Sequence, residues 1–368
     1  MAGPNLPGEP GSTRSPTAIA WRRFRHNPLS LLALGVLLLF GLTGLLGYLL
    51  LPDASTAANR QLPALAKRPP GSQAILLVVY RPAATPSEGL LTRWWQGTTD
   101  GATYLPVYTP TVRHQQGQLH YTGLEGQPEQ RPLAPGEAYR IERVRFWLGT
   151  DAFGRDVLSR ILLGTRVSLG IGLLAVAASL ALGVGLGSLA GYLGGWADRG
   201  IQFGMTVIWS LPSLLLAISL AYVLGKGVQQ LVWAIALSIW IDLARVVRGQ
   251  VLGLRQQAWV QAARVLGYSH LRVLRHHILP NMTGPIIILA CSSFATAILL
   301  EAGLSFLGLG IAPPTPSWGG MIQEGYAFIL FDHGWWLAVF PGICIAMLIL
   351  SLNLVALGLR DALDPRAH

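Results

Sequence analysis

Three features of this sequence bear on chemistry. The first is the histidine pair His276–His277. Adjacent side chains on a helix point about 100° apart and cannot easily share a metal ion, so a place at a membrane–water boundary suits them better. The second is a pair of acids set in apolar runs, Asp242 and Glu301. Charge inside a membrane is expensive and turns toward the protein interior or a wet cavity. Asp242 has Arg245 three residues on as an i,i+3 partner. Glu301 has no partner nearby in sequence, and it reads equally as a buried hydrogen-bonding group or as part of a solute path. The third feature is an absence: no G-x-x-x-x-G-K-[ST], H-E-x-x-H, C-x-x-C or G-x-S-x-G occurs. No catalytic residue, metal or cofactor is expected, and the chain does not read as an enzyme.

The segment 250–280 is the most informative. Trp259, Ala262, Ala263 and Leu266 fall at i, i+3, i+4 and i+7, one face of a short helix, and Gly267 is a natural stop. Ser269 can cap a second short helix in which Leu271, Leu274 and Ile278 share a face and Pro280 ends the pattern. Two amphipathic helices joined at a glycine, with small alanines on the apolar stripe, suit docking into another protein's groove. Helices lying on lipid, held by their arginines, fit the same pattern.

These residues must be positioned by an all-α integral membrane protein. Of the 368 residues 52% are hydrophobic and only 12% charged, with a mean hydropathy of +0.47. A soluble protein of this size could not cover its surface with so few charges. Crossing a hydrocarbon core of about 30 Å takes about 20 apolar residues. Leu29–Leu51, Val167–Trp196, Ile201–Leu224, Ile278–Leu300 and Gly334–Leu359 qualify, and Val228–Ile241 is a shorter sixth. The first is too long for a signal h-region of about 7–15 residues and is expected to be retained.

Arg14, Arg22, Arg23 and Arg25, the arginines of 245–275, and Arg360 and Arg366 all fall on one side of six crossings. That side is expected to be the cytoplasm, with both termini inside a cell inner membrane. The net charge of +10 then reflects topology, and nucleic acid is not an expected partner. Cys291 and Cys344 lie in apolar runs and build no disulfide scaffold.

Residues 1–28 form a cytoplasmic tail that opens with a Pro/Gly/Ser-rich run over 1–16. Residues 52–146 form an extracytoplasmic insertion with strand-like runs at Ala74–Tyr80, Tyr104–Tyr108 and Gln118–Tyr121. A small β-containing lobe is expected there, with the Trp94–Trp95 pair as a contact surface. Ile311–His333, with Pro313, Pro314 and Pro316, reads as a rigid loop at the membrane surface.

The run Gln261-Ala262-Ala263-x-x-x-Gly267, followed by Ile278-Leu279-Pro280, resembles the "EAA…G…I-LP" loop of ABC importer permeases. The stretches 148–160, 191–195, 300–310 and 358–366 are similar to the dipeptide/oligopeptide/nickel permeases. The resemblance covers 17–51 and 147–366, the latter as the permease core. It implies a permease subunit that forms a translocation path with a sister permease. Two cytoplasmic ATPases would grip Trp259, Gln261, Ala262, Ala263, Leu266, Gly267, Ile278, Leu279 and Pro280, and an extracytoplasmic binding protein would deliver peptides or a similar small solute. Gln261 stands where the family has Glu, and the 52–146 insertion exceeds the usual outer loop. An ion-coupled secondary transporter would want more ionisable groups than Asp242 and Glu301. A membrane scaffold without its own path is the other alternative.

Overall fold

The computed structural model describes residues 16–82, 89–99, 101–331 and 334–363. The run 1–16 apart from Pro16, and Arg366 with the rest of the C-terminal tail, lie outside them. The chain enters through α1 (Pro16–His26) and turns at Asn27 into α2 (Pro28–Leu46). The Asn27 side chain accepts from the amides of Leu29 and Ser30 at 3.1 and 3.3 Å, and Pro28 occupies the first helical position.

Beyond the lobe come α4 (Val157–Leu193), α5 (Gly195–Trp209), α6 (Ser213–Leu224) and α7 (Val228–Arg255). The short α8 (Ala258–Val265) and α9 (His270–Val273) precede α10 (Thr283–Phe306). The order closes with α11 (Trp318–Gly325), α12 (Ala327–Phe331) and α13 (Trp336–Leu363). Among the described residues five helical stretches are long and apolar enough to cross a membrane, and the α5–α6 pair makes a sixth if its two arms form one span.

The expected span Ile201–Leu224 is broken by 89° between α5 and α6. Pro212 sits at the start of α6; a proline offers no backbone N–H and disfavours helical backbone in the residue before it. The expected Val228–Ile241 span runs on unbroken to Arg255. α4 begins ten residues before the expected Val167, because Asp156 caps it by accepting from the Ser159 amide at 2.9 Å.

α4 packs along α7 through Gly183, Gly187 and Gly191, one residue per turn. A side chain at Gly187 would run into the backbone of Ala244, so the two helices lie nearly in backbone contact. Around this seam Ile171, Ala175, Ala221, Leu231, Ile235, Ala297 and Leu304 form one buried core.

The segment between α10 and α13 is not simply a surface loop. α11 tucks back into the bundle, Trp318 is fully buried, and its indole donates to the carbonyl of Ile161 at 3.1 Å.

The insertion folds as a lobe of two antiparallel three-stranded sheets. One has the order β2 (Thr103–Val107), β1 (Ser72–Tyr80), β6 (Ala138–Phe146); the other β3 (Arg113–Gln115), β4 (Gln118–Thr122), β5 (Pro128–Pro132). β1 is apolar on both faces because both are covered. Leu76 and Val78 meet Leu62 and Phe146, while Leu77 and Val79 meet Leu119 and Tyr121 of the second sheet. The β3–β4 loop is Gln116–Gly117 with both φ positive, the hairpin turn that matches strand twist. The Trp94–Trp95 pair is half-buried at Trp94 and exposed at Trp95. It lies on α3 (Leu90–Gln96), where the Trp94 indole donates to the Leu45 carbonyl at 2.7 Å and the Arg166 guanidinium lies 4.0 Å from the Trp95 ring centroid.

The lobe therefore sits at the end of the bundle where α4 begins. Phe24 and Ala362 pack together at the opposite end, as do Tyr192 and the 256–280 segment.

Candidate coupling surface and buried polar centres

At the end away from the lobe, α7 stops at Arg255 and a two-residue turn leads into α8. Gly267 then adopts φ +80, its amide donates to Arg264 and that of Tyr268 to Ala263, at 2.9 and 3.2 Å. This is the glycine-closed helix end anticipated for that position. Ser269 occupies the N-cap of α9, yet its side chain makes no capping bond. Pro280 does not end the pattern. The chain widens into a π-turn over Leu274–Ile278, tightens into a 3-10 turn over Leu279–Met282, and continues as α10. The wide turn gives the proline ring the room that regular i→i−4 bonding would deny it.

The segment has two apolar faces. The inner face consists of Val260, Ala263, Val273, Leu274 and Ile278, packed on Tyr192, Val247 and Val251. Ala263 thus belongs to the base, not to the docking stripe expected from spacing. Trp259, Ala262 and Leu266 remain on one outward face, and Val265 and Leu271 extend it; Leu266 and Leu271 are 73% and 71% exposed. Ile278 is buried, Leu279 half-buried and Pro280 exposed. Gln261 is exposed, and its amide donates to the Arg255 carbonyl at 3.1 Å, closing the turn between α7 and α8.

Tyr192 holds this assembly from below, a role its position in sequence did not disclose. Its hydroxyl lies 3.3 Å from Arg264 Nε and 3.4 Å from His270 Nδ1, and its carbonyl accepts from Arg255 at 2.9 Å. His277 stacks on Tyr268 with 5.7 Å between ring centroids.

Glu301 is fully buried and accepts from Ser168 Oγ at 3.1 Å and Ser305 Oγ at 2.8 Å. Ser305, four residues on, is the nearby partner that a search for charges alone overlooks.

Asp242 does not pair with Arg245 among the described ion pairs. It accepts from the Trp209 indole at 3.1 Å, while Arg245 stacks on that indole at 4.0 Å, so the two share one tryptophan. Asp242 faces a cleft of about 240 Å3 at the α5–α6 break, beside Pro212 and Ser213. Asp198 binds Arg248 through two bonds of 2.6 and 2.7 Å and holds α5 against α7.

A further polar centre joins the lobe to the helices. Arg155 pairs with Asp151 at 2.5 Å and with Glu324 of α11 at 2.6 Å, and Arg160 reaches the same two acids at 3.5 and 3.3 Å. Beside it Ser159 Oγ accepts from the Asp53 amide at 2.9 Å. Burial pushes the Asp156 carboxyl above its ordinary range, and the bonds from Ser159 oppose that shift. The alternation of Asp151, Arg155, Asp156 and Arg160 hints at such a knot in sequence, but Glu324 lies more than 160 residues away.

With this geometry in view, residues 183–368 match the model of the binding-protein-dependent transport system inner membrane component, and residues 15–70 that of the N-terminal TM domain of oligopeptide transport permease C. The chain belongs to this transport family. A dipeptide transport system permease protein from Alkalihalophilus pseudofirmus is 43% identical over 220 residues, 60% of this chain and 72% of the relative. A glutathione transport system permease protein from Pectobacterium atrosepticum is 41% identical over 221 residues, with the same coverages. A chain of the inward-facing MetNI methionine ABC transporter aligns at 15% identity with a TM-score of 0.47, covering 56% of this chain and 97% of that one. The family-matched region contains α7 to α13, hence both faces of the 256–280 segment. The strands of the lobe lie between the two matched stretches.

Proposed function

We propose that this chain is a permease subunit of an ATP-driven importer, carrying di- or oligopeptides or a chemically similar solute along a path formed with a sister permease. The observation that carries the reading is the outward apolar face of Trp259, Ala262, Leu266 and Leu271, mounted on a packed base. Two cytoplasmic ATPases dock there. The chain has no phosphate-cradling loop of its own, so hydrolysis belongs to those partners and no cofactor is assigned here. Gln261, Gly267 and Pro280 shape the docking segment, while Ala263, Ile278 and Leu279 support it.

The chain lies in the cell inner membrane with both termini cytoplasmic. Arg22, Arg23, Arg25 and Arg360 and the arginines of 245–275 gather at the end away from the lobe, as the positive-inside rule requires. The lobe then faces outward, toward an extracytoplasmic solute-binding protein. The purified chain in lipid discs should show no ATP turnover above empty discs, and should support solute-stimulated hydrolysis once its partners are added. Turnover by the chain alone would overturn the assignment.

A further inference from the structure

Two cavities flank the segment between α10 and α11 at the lobe end. One, about 230 Å3, is polar and is lined by Arg160, Lys226 and Glu324. The other, about 780 Å3, is largely apolar and is lined by Trp95, Leu163 and Ile171. Ile311 and Thr315 line both.

Two cations and an acid set the character of the polar cavity. Arg160 is 2% exposed, and its Nη1 has no hydrogen-bond partner while Nε and Nη2 face Asp151 and Glu324. That Nη1 is sealed from solvent, so Arg160 contributes positive charge beside the cavity and Lys226 is the cation open to it. Lys226, exposed on the loop between α6 and α7, forms no ion pair among the described residues. Glu324 borders the same cavity with its side chain 28% exposed. It disfavours a multiply charged anion such as phosphate and offers an acceptor to an ammonium group. A cationic corner, an acid and an adjoining apolar cleft together complement a zwitterion with an apolar side chain.

We infer that these neighbouring cavities form a solute subsite in which Lys226, beside the buried Arg160, receives a carboxylate and the Trp95 cleft receives an apolar side chain. The inference rests on the permease reading above and adds to it the residues and the ligand chemistry.

The test is uptake into proteoliposomes holding the complete transporter, with alanyl-phenylalanine and its C-terminal amide as probes. Wild type should take up the free acid with a KM about tenfold below that of the amide, the worth of one charge-assisted contact. Lys226→Ala should lower the amide-to-acid KM ratio about fivefold below its wild-type value. Any preference of the solute-binding protein is common to both chains and cancels in this comparison. Trp95→Ala should weaken uptake of alanyl-phenylalanine more than that of alanyl-alanine. Lys226 and Trp95 are both exposed, so their variants should fold.

If wild type carries the peptides and Lys226→Ala leaves the acid-to-amide ratio unchanged, the subsite is wrong while the permease reading stands. Release of a bound phospholipid by Lys226→Ala, seen by native mass spectrometry with that ratio unchanged, would assign the cations to a lipid headgroup and also overturn it. If wild type carries neither peptide, the peptide reading fails and the subsite with it.

Discussion

At the scale of single residues, Ala263 and Leu266 lie three positions apart with opposite roles. Ala263 faces Val247 and Val251, so Ala263→Asp would bury an unpaired charge at a cost of several kcal/mol. The expected outcome is loss of membrane expression or a large fall in Tm, not clean uncoupling. Gln261→Glu should remove the bond to the Arg255 carbonyl with a cost under about 1 kcal/mol, since the site is exposed. Uptake close to wild type would bear this out. Glu301→Gln keeps an acceptor for one seryl hydroxyl, and Glu301→Leu keeps none. A Tm that falls in the order Gln then Leu, with uptake following Tm, is the mark of a structural role. Loss of uptake in Glu301→Gln at unchanged Tm would point to the path instead. Asp156→Ala removes the cap of α4 and should cost about 1 kcal/mol, whereas Asp156→Asn should be tolerated, because burial already disfavours the charged carboxyl. What sequence disclosed at this scale was residue type; Ala262 and Ala263 look alike until the base beneath them is seen.

Elements were legible in sequence where one local rule governs them, and obscure where a distant contact does. The glycine stop at 267, strand β1 and five long apolar helices follow from periodicity and punctuation. The break at Pro212 was written in sequence as well, though the unbroken apolar run around it concealed it. Pro280 shows the converse: the π-turn before it lets the helix pass a residue that normally stops one. α11 could not be read at all, because Trp318 and Glu324 gain their meaning from Ile161, Arg155 and Arg160, far away in sequence. Gly187→Leu tests the α4–α7 seam. The added side chain meets the Ala244 backbone, and overpacking of this kind costs about 1–3 kcal/mol or more. A Tm drop and poor expression are expected; an unchanged Tm would mean the helices are not held this closely.

At the scale of the whole molecule, the chain is a helical body with a built lobe at one end and an outward apolar face at the other. The lobe's core draws on Leu62 and Leu65 before β1 and on Phe146 at the end of β6, so its roots are shared with the membrane end. Replacing 73–145 by a Gly/Ser linker should preserve membrane expression and weaken stimulation by the solute-binding protein; unchanged transport would make the lobe dispensable packing. The central claim concerns the other end. The most direct measurement is co-purification of the ATPase subunits with a Leu266→Asp, Leu271→Asp double variant, normalised to its membrane expression and read beside solute uptake. Both side chains are exposed in the free chain, so expression should hold, while ATPase retention and uptake should each fall more than about tenfold, as desolvating a charge in a docked groove requires. Full ATPase retention with normal uptake would contradict the account and make 256–280 a helix pair resting on lipid.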